Sequence, residues 1–504
     1  MKQNTYDVAV IGAGIVGLSI ARRLSRYQLR ICILEKEPDV AMGATKANSA
    51  IVHGGYAESS DKLKGKLCYK GRVQFSKLDS ELHFGFKETG SLVFTTKQEE
   101  FSKLEALLAN GKRNGLNDLE ILNKDKALKL EPNLNPDVLY ALYCKGAGIC
   151  SPYEMAIAMA ENAVSNGAEL FLNEPVTGIK KHADIFTLTT PKRQIKARYV
   201  VNCAGLSAAE VSNMAVPTAF EIKPRTGEYI LLSRGSGKVL NTVVFQMPTS
   251  MGKGILVTPT VHGNLLLGPD AIDEEGTVDR STHVERLAEV YFHALHTTGK
   301  INLNQFIRSF AGVRAVATGD DFIMEESKTK GFIQAAGIQS PGLTASPAIA
   351  DRITDILSNA GLTLEPKEDF NPNRKPIIET DKKMRPLSEA EQLIAMPSGQ
   401  ERIVCRCEQV TEGTILDALR RGIPVNTVDG VKRRTRASMG FCQGDFCRPR
   451  FLALMEREYG EHFSARTDVE LCGASRVNKQ ELLDYIEDFK KELISYMLHP
   501  KEDS

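Results

Sequence analysis

Residues 6–17 read YDVAVIGAGIVG, and residues 30–35 read RICILE. The first run is apolar and ends in glycines, and a helical pattern follows from about Ile15 to Tyr27. The second run closes on an acid at Glu35. Strand, glycine turn, helix and strand within about 30 residues make a βαβ unit. Gly12, Gly14 and Gly17 hold G-x-G-x-x-G spacing. The first permits a tight turn, the second lets backbone approach a pyrophosphate, and the third lets helix pack close to strand. The helix N-terminus then offers free N–H groups to phosphate. Glu35, 18 residues beyond Gly17, is placed to accept from ribose hydroxyls and disfavours a 2′-phosphate. The unit points to a dinucleotide, without choosing between FAD and NAD. The stretch RGSGKVL near 235 lacks the third glycine and a following acid and reads as a loop. With one fingerprint, separate FAD and NAD(P)H domains are disfavoured.

Around this unit the chain runs to 504 residues, 42% hydrophobic and 25% charged, with net charge +1. That length suggests two or three domains. The charge balance provides no global field for nucleic acid or an anionic membrane. The N-terminal apolar run is short and glycine-interrupted, unlike a secretory segment. No stretch approaches the roughly 18 apolar residues of a membrane span. A cytoplasmic protein is expected, with peripheral membrane association through a partner left open.

Beyond the first unit, β-like runs (SLVFTT, EYILL, GILVTPTV, NLLLGP) alternate with helical ones at 153–166 and 283–296. The expected fold class is α/β: a Rossmann-like nucleotide-binding domain interleaved with a mainly antiparallel substrate domain over 1–360. Prolines at 366, 372, 376, 386 and 397 mark 361–400 as a linker, or as a strand wrapped on the first domain. A small α-rich module spans 401–475, and 476–504 carries an amphipathic helix.

Ten cysteines are present. Cys32, Cys68, Cys144, Cys150, Cys203 and Cys472 are scattered, mostly in apolar contexts, and read as small core residues. Cys405 and Cys407 form C-x-C, and Cys442 and Cys447 form C-x4-C. Four clustered thiols in a cytosolic chain point to metal or redox use. Zinc is the plain alternative to a [2Fe–2S] cluster, although zinc ribbons favour C-x2-C. The basic run Lys432, Arg433, Arg434 and Arg436 would help neutralise an anionic cluster, or form a solvated basic face.

Three further segments carry a resemblance. GATKANSAIVHGG (43–55), VVNCAG (200–205) and GFIQAAGIQSPGLTASPAIA (331–350) resemble, in order, segments of the glycine/D-amino-acid-oxidase-like flavoproteins. The resemblance implies FAD as cofactor. It implies contacts from Gly12, Gly14, Gly17, Glu35, Thr45, Asn48, Ser49, Val176, Ala204, Gly205, Gly337, Gly342, Leu343 and Thr344. NSAIVHGGYAESSDKLKGKLC (48–68) resembles the 2-hydroxyglutarate dehydrogenase branch. SFAGVRA (309–315) and the cysteine module resemble the large subunit of anaerobic glycerol-3-phosphate dehydrogenase. IVCRCEQVTEGTI and KRRTRASMGFCQGDFC resemble the bacterioferritin-associated-ferredoxin-like [2Fe–2S] domain, with Cys405, Cys407, Cys442 and Cys447 as ligands.

Flavin oxidation of a secondary alcohol needs a C–H aimed at the ring, a base for the hydroxyl proton and a cation for an anionic substrate. His53 is the candidate base; covalent flavin attachment and a structural role stay open for it. Arg314 is the candidate anion clamp, since a guanidinium matches carboxylate or phosphate with paired hydrogen bonds. Lys66, Lys223, Arg225 and His262 are weaker candidates. Thr258 and Pro259 suit either the ring face or a turn. The pattern points to an FAD-dependent dehydrogenase acting on glycerol 3-phosphate, giving dihydroxyacetone phosphate, and passing electrons to an acceptor protein or partner subunit. A 2-hydroxy acid is the alternative substrate. An amine- or amino-acid-oxidising subunit and a pure electron-transfer subunit are the competing classes.

Overall fold

The computed structural model describes residues 5–247, 254–275, 278–377, 402–460 and 463–498. Thr5–Ile11 lies at the centre of a parallel core, between Gln194–Asn202 and Ile31–Leu34. Glu169–Phe171 extends the core on one side and Phe332–Ala336 on the other. Antiparallel Ile323–Glu326 closes the far edge. Val8, Val10, Ile31 and Ile33 are buried because helices Ile15–Leu24, Pro152–Ser165 and Gly342–Asn359 cover one face. Ala9, Cys32 and Val200 pack on the other face with Phe186 and Phe332. Apolar on both faces is what a parallel sheet covered on both sides demands.

The chain leaves this layer twice to build a second sheet. Its strands include Ser91–Thr95, Tyr140–Cys144, Ile222–Leu232, Val243–Gln246, Val257–Pro259 and Phe306–Ala317. All its pairings are antiparallel except that of Val243–Gln246 with Ser91–Thr95. The back of this sheet is sealed by helices Val284–Leu295 and Lys479–Leu498, through Leu287, Val290, Leu482 and Ile486. Its front meets the nucleotide layer closely: a Cβ on Gly312 would lie 1.9 Å from the Ala47 carbonyl oxygen.

Residues 361–377 run extended along the first layer. Gln28 donates to the Glu365 carbonyl at 2.8 Å, and Lys367 to that of Arg26 at 2.8 Å. Arg374 pairs with Glu161 at 2.6 Å. The first part of the proline-rich segment is therefore a surface strap; residues 378–401, with Pro386 and Pro397, lie outside the described residues. The cysteine module has a core of its own, with Ile415, Val431, Phe451 and Met455 buried together. Thr411 and Thr427 cap its helices Glu412–Leu419 and Val428–Thr435.

Candidate active site

The glycine fingerprint divides its work as the spacing requires. Gly12 has φ +102°, and a Cβ there would lie 2.5 Å from the Cys203 carbonyl oxygen. A Cβ on Gly17 would meet the Gly12 carbonyl oxygen at 2.1 Å. Gly14 is different: its added Cβ would meet only the Thr45 hydroxyl, at 3.4 Å. Two glycines thus seal the turn, and the third leaves open backbone beside the helix start. Ile15 donates its N–H to Thr45 Oγ1 at 3.0 Å. Asn48 braces the same loop by donating to the Thr45 carbonyl at 2.9 Å and accepting from Ala50 at 2.8 Å. The Glu35 carboxylate accepts from Ala13 at 2.7 Å and Glu37 at 3.0 Å. Burial raises its pKa despite these bonds. Val176 and Ala204 pack on the apolar cluster beside the same strands, and Gly205 leaves open space at φ +59°. An open cradle with a buried acid at its rim fits a dinucleotide.

A second group converges where the loop after the cradle meets the second sheet. His53 donates its backbone N–H to Thr344 Oγ1 at 2.9 Å, and its Nε2 lies 3.4 Å from Ser340 Oγ. Its ring centroid is 5.9 Å from that of Phe245. The Gly337 turn has φ +64° and leads into the helix carrying Gly342, Leu343 and Thr344 at its start. Across from this turn, Arg225 pairs in register with Arg314, and Tyr229 with Phe310. Strand alternation puts all four on one face. Tyr229 stacks on Phe310 at 4.7 Å, its hydroxyl lies 3.3 Å from Ser49 Oγ, and the Arg314 guanidinium is close enough to act on that hydroxyl. Burial raises the Tyr229 pKa, against the opposing pull of Arg314. A polar chain therefore links Ser49 in the nucleotide loop to the candidate clamp.

Thr258 lies in a strand, not in a turn. Thr258 pairs with Leu266, and Leu266 with Leu231, so it shares the Tyr229 face. It is fully buried, and its hydroxyl has no hydrogen-bond partner among the described residues. An orphan buried hydroxyl is costly unless something polar meets it.

The weaker candidates separate. Lys66 and Lys223 are exposed. Arg225 sits beside Arg314 but is bound to Asp273, with Nε–Oδ1 at 2.5 Å. His262 is buried against Glu154 at 2.7 Å, with Arg436 and Glu408 of the cysteine module among the charges acting on it. Burial lowers its pKa.

The four cluster cysteines meet as two pairs. Cys407 and Cys442 have sulfurs 3.6 Å apart, and Cys405 hydrogen-bonds Cys447. The thiol of Cys405 and the Ser438 hydroxyl, 3.1 Å away, draw the Cys447 thiol down to about 6. Among the described residues no three His, Cys, Asp or Glu side chains converge on one ion. Two thiolates for each of two irons is the arrangement a [2Fe–2S] cluster needs.

The basic run is neither a solvated face nor free charge beside the cluster. Lys432 pairs with Asp429 at 3.2 Å, and Arg436 with Glu408 at 2.9 Å. Arg433 and Arg434 reach into the nucleotide layer and grip Asp39, each at 2.8 Å. All four are buried. Arg433 also holds Asp468, which pairs with Lys46 of the nucleotide loop. The module is thus clamped onto the loop that builds the cradle.

Residues 7–356 match the family "FAD dependent oxidoreductase", and residues 403–457 match "BFD-like [2Fe-2S] binding domain". A glycerol 3-phosphate dehydrogenase of Caloramator mitchellensis is 46% identical over 458 residues, covering 90% of this chain and 95% of that protein. An L-α-glycerophosphate oxidase structure from Mycoplasma pneumoniae, with FAD bound, aligns with TM-score 0.70 at 29% identity. That alignment covers 74% of this chain and 99% of the other. The human mitochondrial L-2-hydroxyglutarate dehydrogenase is 30% identical over 286 residues, covering 53% of this chain and 61% of its own.

Proposed function

This chain belongs to the FAD-dependent oxidoreductase family, and from that premise we propose that it oxidises glycerol 3-phosphate to dihydroxyacetone phosphate and passes the electrons through its [2Fe–2S] module to an external protein. The observation that carries the substrate choice is the Arg314 guanidinium, on the same sheet face as Tyr229, whose hydroxyl reaches Ser49 of the nucleotide loop, with Arg225 beside it in register. A phosphate dianion recruits more than one cation, and here a second lies next to the first, released if Asp273 yields. The relative that shares 46% of its residues, over a span reaching the cysteine module, bears the same activity in its name.

The bound groups supply the redox chemistry, two-electron acceptance at the flavin and one-electron transfer at the cluster. The protein does the rest. Arg314 binds the substrate anion with two parallel hydrogen bonds. His53 takes the hydroxyl proton on Nε2, oriented by Ser340. The Thr258 hydroxyl, otherwise unpartnered, meets a polar group of the bound substrate. Phe245 and Phe310 exclude water. With no disulfide among its ten cysteines, the chain suits a reducing compartment such as the cytoplasm. No helix of the described residues is long and apolar enough to cross a membrane.

The test is anaerobic reduction of the purified holoenzyme by glycerol 3-phosphate, 2-hydroxyglutarate and proline, each added alone. Flavin bleaching by glycerol 3-phosphate, followed by the electron paramagnetic signal of a reduced cluster, is expected. Bleaching by one of the others alone would overturn the substrate, and bleaching by none would favour an electron-transfer subunit.

A further inference from the structure

The cysteine module turns one side to the flavin domain and the other to solvent, and the two sides differ in chemistry. On the inner side, helix Val428–Thr435 and Asp468 grip the nucleotide loop, and Cys405 and Cys447 are buried. On the outer side, Cys407 is exposed and Cys442 partly so. Phe441 is 70% exposed and Phe446 49%. A cluster-binding turn that displays two phenylalanines at solvent is carrying apolar surface that its own fold does not use.

Charge surrounds these rings. Arg406, Arg448 and Arg450 are all exposed. Arg406 lies over the Phe446 ring at 4.8 Å, and Arg450 over the same ring at 5.4 Å. None of the three forms a salt bridge among the described residues, whereas every cation of the inner run does. Asp445 is the one exposed acid between Cys442 and Arg450. Two guanidiniums gathered on one ring repel each other, and an anionic surface that approached would relieve the repulsion.

Resting on the proposal above that electrons leave through the module, we infer that this face docks an acidic one-electron carrier protein. Phe441 and Phe446 are the apolar centre of the contact, Arg406, Arg448 and Arg450 its basic rim, and the Cys407–Cys442 edge its electron exit. Each alcohol oxidised yields two electrons and two protons. Two oxidised carriers are therefore reduced in turn by one electron each, and the protons pass to solvent. A rim of one sign around an apolar centre raises encounter rates and selects partner charge.

The experiment uses holoenzyme reduced with dithionite, so that its result does not depend on the substrate. Stopped-flow mixing follows electron transfer to an acidic haem carrier, cytochrome b5, and to the basic cytochrome c. Sedimentation of the oxidised proteins reports binding in parallel. Expected are binding to cytochrome b5 and a transfer rate that falls at least tenfold as salt rises. Arg406→Glu/Arg450→Glu should lose both by at least tenfold and keep full reduction of the small acceptor ferricyanide. Phe441→Ser should weaken binding without changing the salt slope. Equal binding of both carriers, a salt-independent rate, or unaltered docking in the double charge variant would overturn the inference. So would binding of the wild type, but not of that variant, to phosphatidylglycerol vesicles in place of cytochrome b5. If docking fails while glycerol 3-phosphate still bleaches the flavin and reduces the cluster, only the docking face falls.

Discussion

Asp39→Asn isolates the joint between the two redox units. Asp39 is 1% exposed and accepts four hydrogen bonds of 2.8 Å, one from the Val40 backbone, one from Arg433 and two from Arg434. The asparagine keeps the shape and removes the charge. Arg433 retains Asp468 at 2.6 Å. Arg434, with no exposed side-chain surface, has no other carboxylate among the described residues. Removing one partner of such a buried pair costs about 3–5 kcal/mol, or roughly 10²- to 10⁴-fold in the docking equilibrium. The module's own core is apolar and includes neither Arg433 nor Arg434, so docking should fail before folding does. Hydrogen exchange should rise in 428–435 and in the loop 39–48, and flavin-to-cluster transfer should slow while the flavin still reduces. Asp39→Asn/Arg434→Met should recover most of the loss, because an apolar replacement of both partners leaves no stranded charge. Unchanged exchange and transfer in Asp39→Asn would refute the clamp. The pH dependence has a definite sign. Burial pushes the Asp39 carboxyl up, but the two guanidiniums outweigh it and hold it well below the usual carboxylate range. Its contribution is complete above the unfolded value of about 3.9 and fades only as pH falls through the folded one. The Asp39 contribution to docking should be flat from about pH 5 to 8.

Arg314→Lys keeps the charge and loses the paired geometry, so KM for glycerol 3-phosphate should rise about 10- to 100-fold in steady-state assays. His53→Gln should lower kcat by roughly 10²- to 10⁴-fold with KM little altered, read as single-turnover flavin reduction. Gly12→Ala meets both a φ of +102° and a backbone oxygen at 2.5 Å, and should purify without yellow flavin absorbance. Cys407→Ser should lose iron and sulfide on analysis while substrate still bleaches the flavin at an unchanged rate.

What the sequence disclosed was local. The turn at Gly12 needs a positive φ and the contact at Gly17 needs a bare Cα, and both demands are met within a few residues of the motif. The cysteines show themselves in the same way, by spacing. What stayed hidden was set by distance along the chain. Asp39, one of three acids in EKEPD (35–39), meets arginines 394 and 395 residues away, so nothing nearby marks it. Without that partner the basic run invited a role at the cluster or in solvent. His262, among the weaker candidates, has its partner Glu154 108 residues earlier. Tyr229 carries no motif at all. Only the register of Ile222–Leu232 against Phe306–Ala317 turns it, with Arg314, toward the nucleotide loop.

The loop from Asp39 to His53 therefore holds the site together in a way neither domain does alone. Its Thr45 completes the start of the first helix, its Ser49 reaches Tyr229, and its end presents His53 to the Ser340 turn. Its beginning is gripped from the cysteine module through Asp39, and its Lys46 through Asp468. A segment held at its start and at Lys46 by ion pairs to the module, and at its end by hydrogen bonds, has few ways to move independently of either unit. Losing the module should loosen the cradle as well as interrupt the electron path. That coupling separates the structure from two domains tethered by a linker, in which flavin affinity would not respond to changes in the module.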